Sequence, residues 1–208
     1  GFLPHRMADL IIALFWLATF LVLLSYLIYP LLVIYWPVSR PAPACFSAED
    51  ELPEVTVLMA AYNEEAVIEA KLESVFNTNY PAKKVNVMVG SDKSTDRTEE
   101  IVLNLSRKYP NLQLVKFEKR TGKSGIINTL VAHTKTPILI ATDANILFGT
   151  ETIFELVKRF KEPKIQLVGG NIVYREKKEN GIALQEHTYL NWENKIKQGE
   201  SQHWWIAL

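Results

Sequence analysis

The chain has 208 residues, 48% of them hydrophobic, with 23 basic and 23 acidic side chains and a formal net charge of zero. With no basic excess there is no electrostatic footprint for nucleic acid, and that partner class is set aside. A single cysteine, Cys45, excludes an internal disulfide framework and a cysteine-based zinc site, and it suits a reducing compartment.

No charged residue lies between Asp9 and Arg40, and Leu10–Trp36 is nearly all apolar. About 20 such residues span a hydrocarbon core, and the run is longer than the apolar region of a signal peptide. Tyr29, Tyr35 and Trp36 cluster near its far end, as an interfacial aromatic belt does. Residues 1–36 are therefore expected to be a single membrane-spanning anchor. Arg6 and Arg40 flank the span evenly, so the charge bias does not set its orientation. Pro37, Pro41 and Pro43 make residues 37–53 a stiff linker. Arg6 and Asp9 are the only charges in the first 36 residues, which leaves 23 − 1 = 22 of each sign beyond them.

From residue 54 onward, short β-rich runs (Val55–Ala60, Val85–Gly90, Leu112–Phe117, Pro137–Thr142) alternate with helical patterns at Glu64–Phe76, Asp96–Lys108 and Lys123–His133. Thr150–Phe160 is a further predicted helix, and Ile165–Tyr174 a strand or hairpin bending at Gly169–Gly170. The pattern predicts an α/β domain: a mainly parallel sheet flanked by helices, with right-handed crossovers. Ala183–Lys197 reads as an amphipathic helix, lying on the membrane or packed on the domain.

Polar groups stand at three strand ends, where open α/β sheets place ligands. The first run ends in Ala60-Ala61-Tyr62-Asn63-Glu64-Glu65; Asn63 either presents its amide to a ligand or caps the next helix. The second ends in Ser91-Asp92. Asp92 comes too early to cap the helix, and its carboxylate is expected to face the crevice. Asp96 stands three residues before Glu99, the spacing of a capping box. A calcium loop does not fit, because Arg97 and Leu103 occupy the positions that need Gly and Glu. The fourth ends in Thr142-Asp143-Ala144-Asn145. If the chain stays extended, Asp143 and Asn145 point the same way and can share a divalent cation with a diphosphate; a turn-forming pair is the competing reading. Thr121-Gly122-Lys123-Ser124 resembles the end of a P-loop, but Phe117 stands where the first Gly is needed. Lys123 remains a cation at a helix N-terminus, suited to an anionic ligand.

Taken together, Val57–Glu65, Asn79-Tyr80-Pro81, Ser91–Thr98, Gly122-Lys123 with Asn128, and Thr142–Asn145 resemble the family 2 glycosyltransferases, in particular the membrane-anchored members that build polysaccharides. The resemblance runs from about Pro53 to Ser201, and its motifs are specific through their order. It implies a GT-A (Rossmann-like) fold over residues 54–201, a nucleotide-sugar donor of the UDP type, a glycan acceptor, and a magnesium or manganese ion. It also implies that the domain lies on the cytoplasmic side of the membrane.

Carried over by position, Ala61, Asn63 and Glu64 line the nucleoside pocket, Asp92 accepts from the base, and Lys123 lies near the nucleotide. Asp143 contacts the nucleotide and, with Asn145, forms the metal-binding element. Lys93 replaces the family's usual Gly, and Asn145 the usual metal-binding Asp. The family's second carboxylate motif, which supplies the general base, and its Q-x-x-R-W motif are not found, and residues 202–208 are atypical. No catalytic base is therefore identified; the base is expected beyond Leu208, and the chain as given is expected to be inactive or incomplete, without turnover at a normal rate. The alternative from another class is an inert membrane-tethered nucleotide-binding regulatory or scaffold subunit.

Overall fold

Residues 3–35, 44–47, 49–170, 195, 196 and 200 are described by the computed structural model of the chain. The chain divides into two compact units, residues 44–161 and residues 1–43 with 162–208.

The N-terminal segment is helical throughout, as α1 (Leu3–Leu23), a π-helical turn (Leu24–Ile28) and α2 (Tyr29–Tyr35). Pro30 explains the interruption. It has no N–H to donate, and its ring crowds the carbonyl four residues back. The wider turn relieves this, with the Tyr29 N–H reaching the Leu24 carbonyl five residues away. Arg6–Tyr35 is 30 residues long and its most apolar 18-residue stretch has a mean hydropathy of 2.6, long and apolar enough to cross a membrane by length and composition.

In the unit of residues 44–161, the strands β1 (Val55–Ala61), β2 (Val85–Ser91), β3 (Leu112–Lys116) and β4 (Ile138–Ala141) form one sheet. Their order is β3-β2-β1-β4 and every neighbouring pair is parallel. The helices are α3 (Ile68–Phe76), α4 (Thr98–Lys108), α5 (Lys123–Ala132) and α6 (Thr152–Val157). Handedness sorts them. The crossovers through α3 and α4 run outward from β1 to β3, whereas the one through α5 returns past β1 to β4. Right-handed crossovers in opposite directions put helices on opposite faces. Accordingly Val55, Val57 and Met59 of β1 share a core with Ile68, Leu72 and Val102, while Leu58 and Met88 pack with Ile126 and Leu130 of α5. Both faces are buried, which is why the strands read as nearly unbroken apolar runs.

Element boundaries shift from the sequence expectation where loops are fastened from outside. The helix expected from Glu64 begins at Ile68. The Glu64 N–H donates to Thr98 Oγ1 at 2.8 Å and the Glu65 N–H to Asp96 Oδ2 at 3.0 Å, which holds residues 64–67 as a turn. The capping box does not close. Asp96 Oδ1 accepts from the Thr98 N–H at 3.0 Å, but Glu99 accepts from the Ser91 hydroxyl at 2.7 Å and pairs with Lys116 at 2.7 Å. The helix expected over Thr150–Phe160 is α6 followed by a 3₁₀ turn, Lys158–Lys161. Residues 165–170 carry no strand beyond an isolated bridge at Val168. Residues 171–174, Trp36 at the end of the apolar run, residues 37–43 and 48 of the linker, residues 183–194 and 197 of the expected amphipathic helix, and the tail 202–208 lie outside the described residues.

Candidate active site

A cavity of about 340 Å³ opens at the carboxyl ends of β1, β2 and β4, where the strand order turns back on itself. Crevices of this kind are where open α/β sheets take their ligands. The cavity is lined by Ala60, Ala61, Tyr62, Glu64, Asp92, Arg120, Gly122, Lys123, Ile126, Asp143, Ala144 and Asn145. Six of the seven residues singled out from the sequence are thus on one wall system, and Asn63 is not. Asn63 adopts a left-handed φ of 54° and hydrogen-bonds to the neighbouring loop instead. Its Oδ1 accepts from the Thr95 N–H at 2.8 Å, and its own N–H donates to Ser94 Oγ at 3.2 Å. Neither the capping role nor a cavity contact is what this side chain does here. It laces the β1 loop to the β2 loop.

Asp92 follows β2 and is 4% exposed. Its Oδ1 accepts from the Thr121 N–H at 2.6 Å, and its Oδ2 from the Gly122 N–H at 3.1 Å and Arg120 Nε at 3.1 Å. The Thr121 amide, and with it Gly122 and Arg120, holds the carboxyl below its usual range against the opposing effect of burial. Asp92 therefore organises the loop before α5 as well as lining the cavity. Gly122 permits this through a φ of 79°. Arg120, absent from the sequence-derived set, stacks with Cζ 3.4 Å from the centre of the Tyr62 ring. Its signal was present two residues before Gly122-Lys123.

The turn after β4 is not extended. Ala144 and Asn145 form a turn in which the Ile146 N–H donates to the Asp143 carbonyl at 3.4 Å, and both Asp143 and Asn145 still face the cavity. Lys123, the first residue of α5, is ion-paired with Asp143. Among the described residues no three His, Cys, Asp or Glu side chains group as a metal site. One carboxylate and one amide fit a hard cation that takes its remaining ligands from phosphate and water. Lys71 was also missed. It is fully buried on α3 among Ile68, Leu72 and Val75, and a lysine on that apolar stripe was the signal. Burial pushes its ammonium down to about 7, partly opposed by the charge of Asp143.

Lys93 does not line the cavity. It has a φ of 59°, which explains why glycine is the usual residue there. Lys93→Gly should stabilise the chain by about 0.5–1 kcal/mol, the left-handed strain removed less the extra entropy of glycine. Urea denaturation checks this, and an unchanged or lower midpoint contradicts it.

The description "Glycosyl transferase family 2" matches residues 56–206. The beta-monoglucosyldiacylglycerol synthase of Nostoc sp. is 30% identical over 144 residues, covering 68% of this chain and 31% of that protein. The poly-beta-1,6-N-acetyl-D-glucosamine synthase of Staphylococcus epidermidis is 26% identical over 156 residues, 74% of this chain and 37% of that one. This chain thus spans about a third of the length of such relatives. The mannosyltransferase PcManGT from Pyrobaculum calidifontis, solved in complex with GDP-Man and Mn2+, superposes with a TM-score of 0.66 at 28% identity, covering 84% of this chain and 48% of that one. A parallel sheet flanked by helices, the superposition on that enzyme and a family match over most of the chain agree: the chain belongs to glycosyl transferase family 2 and has the GT-A fold.

Proposed function

We propose that residues 54–201 form the donor-binding part of an inverting glycosyltransferase that takes a sugar from a nucleotide sugar to a glycan acceptor. In this reading residues 1–36 anchor it in the membrane with the domain on the cytoplasmic side. The observation that carries the proposal is the meeting of Asp92, Lys123, Asp143 and Asn145 on one cavity. Asp92 sits beside the Arg120–Tyr62 stack and supplies the acceptor for the imide N–H of a uracil. Ala61 and Glu64 close the nucleoside end, with Asn63 bracing their loop. Lys123 holds Asp143 in the free chain and can turn to a phosphate oxygen, aided by the positive end of α5.

Asp143 and Asn145 would hold a magnesium or manganese ion, which when bound offsets the charge on the leaving diphosphate. None of the described residues is assigned as the base that takes the acceptor proton. UDP is the first donor class. GDP is the second, because the Pyrobaculum relative is complexed with GDP-Man and guanine also offers adjacent N–H donors to a carboxylate.

Titrating UDP, GDP and uridine into the chain, with and without Mn²⁺, tests the proposal. Manganese should strengthen binding of the diphosphates by roughly a hundredfold or more and leave uridine nearly unaffected. Equal metal effects on UDP and uridine would remove the cation from this site. Absence of any nucleotide binding would remove the donor reading as a whole.

A further inference from the structure

We propose that Lys71 is a positioning residue: from the buried face of α3 it fixes the loop after β4 and so sets where Asp143 and Asn145 stand. This rests on the assignment of those two residues as the cation-binding pair.

The loop needs such a device. Between β4 and α6 the chain has neither strand nor helix until residue 152, and its own backbone offers the single 3.4 Å turn bond from Ile146 to Asp143 around the proposed ligands. Lys71 supplies what is missing. Its Nζ donates to Thr142 Oγ1 at 3.1 Å and to the Ile146 carbonyl, and it lies 3.7 Å from the centre of the Phe148 ring. These three partners bracket Asp143 and Asn145 on both sides. One helical step further on, Ser74 Oγ accepts from the Phe148 N–H at 3.0 Å while donating to the Lys71 carbonyl at 2.7 Å. The same face of α3 thus grips the loop at two levels.

Burying an ammonium is costly unless its donors are met. Two oxygens and an aromatic face meet them here, all from this one segment. Were Lys71 filling core space alone, an apolar residue of similar length would serve, as Ile68, Leu72 and Val75 do on the same face. Its charge also lies close enough to interact with that of Asp143.

The experiment compares the full chain with Lys71→Met, a change that keeps length and loses donors and charge. Two readouts are taken: hydrogen exchange of the loop amides in the ligand-free protein, and Mn²⁺-dependent UDP or GDP binding set against uridine binding. Exchange should accelerate at residues 142–149 and not in β1 or β2. Metal-dependent diphosphate binding should weaken by roughly 10–100-fold, as for lost outer-sphere support of metal ligands, with uridine binding unchanged. Thr142→Val, which removes one acceptor conservatively, should shift both readouts the same way by less, and it stands in if Lys71→Met does not fold.

Unchanged loop exchange overturns the inference. So does faster exchange with metal-dependent binding intact, or an equal loss for diphosphate and uridine. If the unsubstituted chain binds no nucleotide, the site assignment fails, and the exchange result alone then decides whether Lys71 fixes the loop.

Discussion

Replacing Asp143 with alanine should remove most of the advantage that Mn²⁺ gives to UDP or GDP binding, a loss on the order of a hundredfold, with little change in melting temperature. Losing even an outer-sphere partner of a metal ligand costs 10–100-fold, and here the change deletes the one carboxylate of the pair, leaving a neutral amide. Stability should hold because the Asp143 side chain is 46% exposed and its described partner, Lys123, is 64% exposed; such a pair contributes little to folding. Asp143→Asn separates charge from shape: it keeps an oxygen donor and should retain part of the metal effect. Calorimetric titration with and without Mn²⁺ reads both variants. An unaltered metal effect in Asp143→Ala would take this residue out of the metal site, and a large drop in melting temperature would make it structural.

Gly122→Ala should damage fold and site together. Gly122 has φ 79° and ψ 158°, a region essentially closed to residues with a Cβ, and forcing one into it costs about 1–3 kcal/mol. The space around it is open, with nothing within 4 Å of an added Cβ, so the penalty is one of backbone conformation alone. Its N–H donates to Asp92 Oδ2, and its carbonyl accepts from the Ile126 N–H at 3.0 Å. A peptide that rotates to relieve strain therefore withdraws a donor from a buried carboxylate and re-aims the first turn of α5, which carries Lys123. The melting temperature should fall by roughly 5–10 °C, and nucleotide affinity should drop by at least about tenfold. Thermal unfolding and titration of UDP check the two parts. A variant with normal binding would show that the loop can be rebuilt without glycine's conformation, and the structural reading of Asp92 would lose its basis.

Much of this protein was legible before any coordinate. Strand runs of valine and leucine, helices with a single apolar face and a charge-free N-terminal run are local patterns, and local patterns define elements and their alternation. Alternation plus the handedness of crossovers leaves few topologies, so the parallel sheet and its carboxyl-edge crevice followed. Polar residues at three strand ends, a cation at a helix N-terminus and the family resemblance named seven residues, of which Ala61, Glu64, Asp92, Lys123, Asp143 and Asn145 line the cavity and Asn63 does not.

What the chain order alone did not contain is which partner each polar group chooses, because those partners are distant in sequence. Glu99 turned from its own helix end to Ser91 and Lys116, and Asn63 turned to Thr95. Asp92 met amides 29 and 30 residues away. Lys71 found its acceptors 71 and 75 residues along the chain. Composition and period determined the elements of the sheet and which strand ends carry chemistry. Tertiary packing decided the hydrogen-bond partners, since a buried donor or acceptor takes whichever group the fold brings within reach.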